Sequence, residues 1–218
     1  MASHPSPTRP GKLAIFGTGG HAREAALIAE RMGMARINIA FVVEAAYHRH
    51  DTVGGIAVHT IESGICDGWP FVAAVGDPGL RERVATMCGE RGMTADILCD
   101  PSVPLHESVR IGRGCIIASG AILTVDISLG DHVHINVGAS VSHDAILGAF
   151  TTVSPGARIA GHVTLGDRVF VGIGATIVNG TPASPLIVGD DVFIAAAACV
   201  VGPVTKGLRV MGVPAKAG

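Results

Sequence analysis

Aromatic residues are scarce in this chain of 218 residues: it has one Trp, one Tyr and six Phe, whereas glycine reaches thirty. Ordinary cores rely on aromatic bulk, so this core must be mainly aliphatic, and the many glycines indicate closely spaced turns. Hydrophobic residues make up 48% and charged residues 16%, with a formal net charge of −2. This balance is typical of a folded globular protein and excludes general disorder.

The sequence also has no long hydrophobic run, basic stripe or paired-cysteine motif. Its longest apolar run, residues 192–201, has ten residues, about half of a bilayer span, so we expect no membrane helix. Sixteen Lys and Arg are spread along the chain, which argues against nucleic acid as a partner. Five cysteines without a C-x-x-C pair fit reduced thiols. Residues 1–10 contain no apolar signal segment, so we predict a disordered arm and a cytoplasmic protein.

The first part of the chain alternates strand and helix patterns. An apolar run over 12–16 leads into Gly17-Thr18-Gly19-Gly20 and a helical stretch over 22–32, which is closed by Gly33. Further strands are predicted over 37–43 and 71–75 and a helix over 80–89, with a polar connection around 48–59 between them. These βαβ units predict a small α/β, Rossmann-like domain over 11–98 that binds ligands at the carboxyl ends of its parallel strands.

From residue 99 onward, aliphatic residues recur at every sixth position. Of the fourteen positions met in steps of six from 99 to 177, thirteen are Leu, Ile or Val. Neither a helix nor a plain strand has this period, but a triangular coil of three short strands has it. The pattern predicts a parallel β-helix of hexapeptide repeats over 99–218, interrupted by a Pro-containing loop at 179–187.

The chain has ten histidines, which raises the question of a metal site. His132 and His134 are two residues apart and share one strand face, but no third ligand follows at a spacing typical of zinc. We therefore predict a structural role for both and no bound metal. His162 falls in a turn of the predicted coil, where it has no functional role that spacing can assign.

His143 is the exception, because the predicted register stacks it directly on Gly161, three hexads further along. Gly161 would leave open space and an unshielded backbone N–H beside the imidazole. Asp144 can orient this imidazole or favour its protonated form, and histidine accepts protons near neutral pH. His143 is therefore a candidate general base, and the N–H of Gly161 a candidate oxyanion donor. An ordinary turn histidine with an acidic neighbour stays open as the alternative.

The order and distances of several motifs resemble the bacterial nucleotide-sugar N-acetyltransferases of the hexapeptide-repeat acyltransferase family. These motifs are Gly17-Thr18-Gly19-Gly20-His21, Phe41-Val42-Val43-Glu44, Val75-Gly76-Asp77 and Val141-Ser142-His143-Asp144. The resemblance implies a homotrimer whose β-helix is left-handed. It also implies direct transfer of acetyl from acetyl-CoA to the 4-amino group of a nucleotide-linked sugar, of the GDP-perosamine or UDP-bacillosamine type. The product would serve the synthesis of lipopolysaccharide O-antigen or another surface glycan.

The same resemblance assigns roles to individual residues. His143 matches the general base and Asp144 the acidic residue that follows it. Positions matching nucleotide-sugar contacts are Gly19, Gly20, His21, Val43, Glu44, Gly76, Asp77 and Asn136. Positions matching acetyl-CoA contacts are Thr152, Gly161, Ile173 and Ala196. Some members have a second histidine where this chain has Thr152, so only a contact role is expected there.

Three other functions remain open from the sequence. A sialic-acid-type sugar O-acetyltransferase would use the same base and the same thioester chemistry. A γ-class carbonic anhydrase would share the solenoid but would need three converging histidines, which the spacing does not supply. A non-catalytic binding solenoid would leave the attached βαβ domain unexplained.

Overall fold

The computed structural model describes residues 11–218, so the predicted N-terminal arm lies outside the described residues. The first part forms six strands and two α-helices. The strands are β1 (Leu13–Phe16), β2 (Ile39–Val43), β3 (Thr52–Val53), β4 (Ile56–Thr60), β5 (Pro70–Ala73) and β6 (Thr94–Ala95), and the helices are α1 (Gly20–Arg31) and α2 (Pro78–Glu90). Short 3₁₀ turns cover Arg36–Asn38, Ala45–Tyr47 and Ile61–Ser63. The strands form one sheet, here sheet 1, in the order β3-β4-β2-β1-β5-β6.

Sheet 1 is parallel except for its β3 edge. Strands β1 and β2 are apolar and buried along their whole length, as expected for the centre of a parallel sheet covered on both faces. The stretch predicted as a polar connection instead contains the antiparallel hairpin β3–β4. Gly54 and Gly55 both have positive φ, of 58° and 79°, which a tight hairpin turn favours. Ile56 and Val58, on the inner face of β4, are buried.

Residues from Leu98 onward wind into a parallel β-helix with three sheets. Sheet 2 contains β7 (Leu98–Cys99), β9 (Ile116–Ile117), β12 (His134–Ile135), β15 (Thr152–Val153), β18 (Phe170–Val171), β21 (Phe193–Ile194), β23 (Arg209–Met211) and β24 (Lys216–Ala217). Sheet 3 contains β8 (Arg110–Ile111), β11 (Ser128–Leu129), β14 (Ile146–Leu147), β17 (Val163–Leu165) and β20 (Leu186–Val188). Sheet 4 contains β10 (Ile122–Leu123), β13 (Ser140–Val141), β16 (Arg158–Ile159), β19 (Thr176–Ile177) and β22 (Cys199–Val200).

The inward residue of each hexad stacks on its equivalent in the next coil. Leu129 pairs with Leu147, and Val141 pairs with Ile159. These side chains and the smaller apolar residues of each hexad form one continuous core cluster between Val103 and Val210. The six-residue period is therefore confirmed as the inward row of a solenoid, in which each coil buries the apolar face of the coil before it.

Sheet 1 and its helices pack against the outer face of sheet 2. Leu98, Ile116 and Ala118 from the coil share one core cluster with Ala22 and Ile28 of α1. In sheet 2, the outward residues Ile116 and His134 of the first coils are therefore covered by protein rather than by solvent. Neither α-helix in residues 11–218 combines the length and apolar content that crossing a bilayer requires.

Candidate active site

His143 and Asp144 lie in the turn that follows β13, where the chain passes from sheet 4 to sheet 3. The Nδ1 atom of His143 is 2.8 Å from Oδ2 of Asp144, and both side chains are about half exposed, at 54% and 46%. Asp144 adopts a left-handed backbone conformation with φ of 59°, which Asp tolerates better than most residues. An ionised carboxylate only accepts, so Nδ1 carries the proton and Nε2 is left as the basic atom.

Gly161 lies directly beside the imidazole of His143, as the register predicts. A Cβ atom at this position would lie 2.7 Å from Nε2 and closer still to Cε1 of His143. The expectation of open space here is thus wrong, because the imidazole itself fills the space that a side chain would need. The backbone N–H of Gly161 has no acceptor within residues 11–218, and Gly161 itself is buried.

His162 is not the isolated turn residue that its spacing indicates. Its Nε2 atom lies 3.7 Å from Oδ2 of Asp144, and its ring meets the ring of His143 edge-on, with the centroids 5.2 Å apart. One ligand atom from each of His143, Asp144 and His162 falls within 4.8 Å of the others. Two imidazoles and a carboxylate at this spacing could hold a divalent transition metal.

A second concave region lies at the carboxyl ends of β1, β2 and β5. It is a cleft of about 460 Å³ whose walls include Gly17, Thr18, Val43, Glu44 and Val75. Ligands in parallel α/β sheets bind at this edge. Two of the predicted nucleotide-sugar residues, Val43 and Glu44, therefore line the cleft itself.

Other walls of this cleft are not predicted from the sequence. They come from the 3₁₀ turn after β2 and from α2, and include Tyr47, Leu80, Arg83 and Met87. Tyr47 is 65% exposed and is the only tyrosine in the chain. An aromatic residue four residues after a predicted strand end is a signal that could have found it.

The predicted nucleotide-sugar residues Gly19, Gly20 and His21 lie at the start of α1. Gly19 is the N-cap residue, and no side chain caps the helix, so its first N–H groups can bind an anion. Gly20 opens the helix, and His21 in the first turn places Nε2 3.0 Å from Nδ1 of His134 on β12. Sequence spacing could not connect His21 with His134.

The predicted strand-end residues Gly76 and Asp77 both form hydrogen bonds within the protein. Asp77 caps α2, with Oδ1 accepting from the N–H of Leu80 at 2.7 Å. The carbonyl of Gly76 accepts a 2.8 Å hydrogen bond from the hydroxyl of Thr152. Asn136, also a predicted sugar contact, is half-buried after β12, and its Nδ2 donates to the carbonyl of Val153 at 2.8 Å.

Thr152 occupies a different place from the one its predicted role suggests. It is 3% exposed, and its hydroxyl accepts from Arg81 at 2.9 Å while donating to Gly76. The structure thus places Thr152 between the two domains. Arg81 is fully buried and also donates to the carbonyls of Val75 and His132, at 2.7 and 2.9 Å.

The remaining predicted acetyl-CoA residues are not all brought together within one chain. Ile173 and Ala196 occupy equivalent positions in successive turns from sheet 2 to sheet 4 and are exposed. Gly161 follows β16 in the turn that leaves sheet 4 on its other side. Sheet 4 therefore separates Ile173 and Ala196 from Gly161.

Comparisons with known proteins cover both parts of this arrangement. Residues 12–88 match the PglD N-terminal domain. The GDP-perosamine N-acetyltransferase of Escherichia coli is 31% identical over 146 residues, which are 67% of this chain and 66% of that protein. PerB from Caulobacter crescentus, solved with CoA and GDP-perosamine, superposes with a TM-score of 0.85 at 28% identity, over 95% of this chain and 97% of PerB. The chain belongs to the nucleotide-sugar N-acetyltransferase family.

A further structure supports the same family and its left-handed β-helix. The acetyltransferase domain of PglB from Neisseria gonorrhoeae has a TM-score of 0.85 and 28% identity, over 94% of this chain and 98% of that domain. The same domain has also been solved with acetyl coenzyme A. Members of this N-acetyltransferase family thus combine the two domains seen here with a CoA thioester as acetyl donor.

Proposed function

We propose that this protein transfers acetyl from acetyl-CoA to the 4-amino group of a nucleotide-linked 4-amino-6-deoxy sugar, of the GDP-perosamine or UDP-bacillosamine type. The nucleotide would occupy the cleft lined by Val43 and Glu44, with its phosphates at Gly19 and Gly20. The acetylated sugar would enter a surface polysaccharide such as an O-antigen. We propose that the reaction runs in the cytoplasm.

The observation that carries this proposal is the contact of His143 with Asp144 directly beside Gly161. Because Asp144 accepts from Nδ1 at 2.8 Å, Nε2 of His143 is free to take a proton from the substrate ammonium group. Nε2 lies on the side of the ring next to Gly161, 2.7 Å from where a Cβ would be, although Cε1 is nearer still. The imidazole base and the residue that carries the candidate oxyanion donor are therefore direct neighbours.

The reaction follows from this arrangement. His143 takes one proton from the ammonium group, and the neutral amine nitrogen attacks the thioester carbon. The carbonyl oxygen becomes an oxyanion, which the N–H of Gly161 would stabilise by about 3 kcal/mol. Collapse of the tetrahedral intermediate forms the amide and breaks the C–S bond, and the CoA thiolate takes the proton held by His143. The second amine proton is released to solvent.

The cysteines favour direct transfer over an acyl-enzyme. Burial raises the pKa of Cys88 and Cys115 to about 12, and that of Cys66 and Cys99 to about 11. A nucleophilic cysteine needs the opposite shift, because the thiolate is the reactive form. These four thiols are therefore unsuited to carry the acetyl group.

We propose that the acetyl-CoA site is completed between subunits of a homotrimer. Ile173 and Ala196 lie across sheet 4 from Gly161. In a trimer, Ile173 and Ala196 of one subunit would lie beside Gly161 of the neighbouring subunit. The outer rows of the coil also expose Ile122, Ile146 and Ile173 by more than half. Sedimentation as a trimer at micromolar concentration is the expected result, and a monomer would contradict this assembly.

The test is an assay of acetyl-CoA consumption with a panel of nucleotide sugars and product analysis. We expect turnover with GDP-perosamine or a UDP-linked 4-amino sugar, and a product acetylated on nitrogen. Matched nucleotide sugars with a 4-hydroxyl are the controls and should not react. Acetylation of those controls on oxygen would favour the O-acetyltransferase alternative, and no turnover with any sugar would refute the proposed function.

A further inference from the structure

Two buried histidines join the start of α1 to the β-helix. His134 is the first residue of β12 and precedes the inward Ile135, so its side chain points away from the coil core. It is nevertheless 0% exposed, because the N-terminal domain covers it. Its Nδ1 atom lies 3.0 Å from Nε2 of His21, and the two ring centroids are 4.9 Å apart.

Burial favours the neutral form of both rings. Burial, with Arg81 and the neighbouring histidines adding to it, lowers the pKa of His134 well below its usual value. Burial also lowers the pKa of His21, although Glu24 acts in the opposite direction. A neutral imidazole has one N–H donor and one acceptor nitrogen, so one ring of the pair donates and the other accepts.

The surroundings decide which ring donates. Nδ1 of His21 lies 3.4 Å from the carboxylate of Glu24, which only accepts, so Nδ1 of His21 carries the proton. Nε2 of His21 must then accept from the Nδ1–H of His134. This leaves Nε2 of His134 as a bare lone pair, and that buried atom has no hydrogen-bond partner in residues 11–218. Both rings thus keep a single, defined tautomer.

We propose that His134 is a positioning residue, a role that rests on the proposed function: its hydrogen bond to His21 holds the loop Gly19-Gly20-His21, and the sugar nucleotide bound there, in register with His143. His134 and His143 belong to consecutive strands and turns of one coil, β12 and β13. A sugar anchored by its diphosphate would therefore present its amine at a fixed distance from the base. Displacements of about 1 Å at such a site can cost as much as 10²-fold in rate.

Three variants of the full-length protein separate positioning from simple packing. His134→Leu removes the hydrogen bond, whereas His134→Asn keeps an amide group near the place of Nδ1. His132→Asn is the matched control, since His132 is also buried, at 7% exposed, and its Nδ1 also has no partner in the described part of the chain. The ring of His132 stacks on Phe150, with centroids 5.0 Å apart, instead of contacting α1.

For His134→Leu we expect KM for GDP-perosamine or the UDP-linked 4-amino sugar to rise about tenfold, with KM for acetyl-CoA unchanged. His134→Asn should recover most of this loss, and His132→Asn should lower Tm without changing either KM. Equal KM values in His134→Leu and the wild type would overturn the positioning role. So would a parallel rise of both KM values in His134→Leu and His132→Asn.

The pH dependence gives a readout that packing alone would not produce. Protonated His21 would turn an Nε2–H toward the Nδ1–H of His134, so the wild-type KM for the nucleotide sugar should rise in acid. In His134→Asn the amide can rotate and offer its oxygen, so this rise should be smaller. The charged or titratable groups that face the pair are Glu24, Arg81 and His132. An identical acid rise in both proteins would count against the hydrogen bond.

Calorimetric titration of the nucleotide sugar without acetyl-CoA distinguishes failure of the positioning role from failure of the proposed function. A wild type that binds and acetylates the sugar, alongside a His134→Leu variant that binds it equally well and turns it over equally fast, would refute the positioning role and leave the proposed function standing. A wild type that neither binds nor acetylates GDP-perosamine or the UDP-linked sugar would refute both.

Discussion

The imidazole of His143 occupies the space that a side chain at Gly161 would take. A Cβ at residue 161 would lie 2.7 Å from Nε2 and 3.0 Å from Nδ1 of His143, and contacts under about 3 Å require atoms to move. The absence of a side chain at this position is therefore a requirement of the base itself. We also propose a role for Gly161 on the acetyl side, through its N–H.

We expect Gly161→Ala to lower kcat by about tenfold or more, because the added methyl group pushes the imidazole away from the reacting amine. Thermal stability should change little, since His143 is half exposed and can move into solvent. Gly202→Ala is the matched control, as a Cβ there would meet no atom within 4 Å. Equal kcat values for Gly161→Ala and Gly202→Ala would show that the position of the imidazole does not limit turnover.

His143→Ala should lower kcat by about 10²–10⁴, the usual contribution of a positioned general base. Asp144→Asn should lower kcat by less, because it changes the orientation of the imidazole without removing it. The loss in His143→Ala should shrink at higher pH, where more substrate amine is already neutral. His106→Ala, at another exposed turn of the coil, is the control. A pH-independent loss in His143→Ala would argue against proton removal as its role.

The solenoid could be predicted in detail because each hexad has the same environment. One period assigns Leu129, Val141 and Leu147 to the core, and three hexads place His143 beside Gly161. No period relates His21 to His134, which are 113 residues apart, or Arg81 to Thr152, which are 71 apart. These contacts depend on how the two domains dock, and local sequence carries no signal for that geometry.

The cleft also combines residues that the sequence could predict with residues that it could not. Val43 and Glu44 follow a strand whose burial the sequence indicates, so their place at its carboxyl end could be predicted. Tyr47 and Arg83 reach the cleft from a 3₁₀ turn and from α2. The approach of Arg83 depends on the packing of α2 against sheet 1, so composition and strand pattern could not assign it.

Acid should destabilise the protein through its buried histidines. Burial lowers the pKa of His132 to about 4 and that of His134 well below 6.5. Between pH 6.5 and these lowered values the unfolded chain binds more protons than the folded chain, so the free energy of unfolding falls as the pH falls. Each histidine contributes up to about 1.4 kcal/mol per pH unit in this window.

Chemical denaturation at pH values between 7 and 5 checks this dependence. His132→Asn and His134→Asn should each flatten the fall in unfolding free energy, because an amide does not titrate. His50→Asn, at an exposed position, should leave the slope unchanged. If the free energy of unfolding fell equally with pH in all three variants and the wild type, other groups would be the cause of the destabilisation in acid.

Zn²⁺ should inhibit acetyl transfer, although the proposed reaction requires no metal. His143, Asp144 and His162 offer ligand atoms within 4.8 Å of one another, and an ion bound there would compete with the proton for His143. Dialysis against a chelator should therefore leave turnover unchanged, and micromolar Zn²⁺ should reduce it. His162→Asn removes one imidazole ligand and should weaken this inhibition. Loss of turnover on chelation, with recovery on adding Zn²⁺, would instead support a zinc enzyme and remove His143 as a free base.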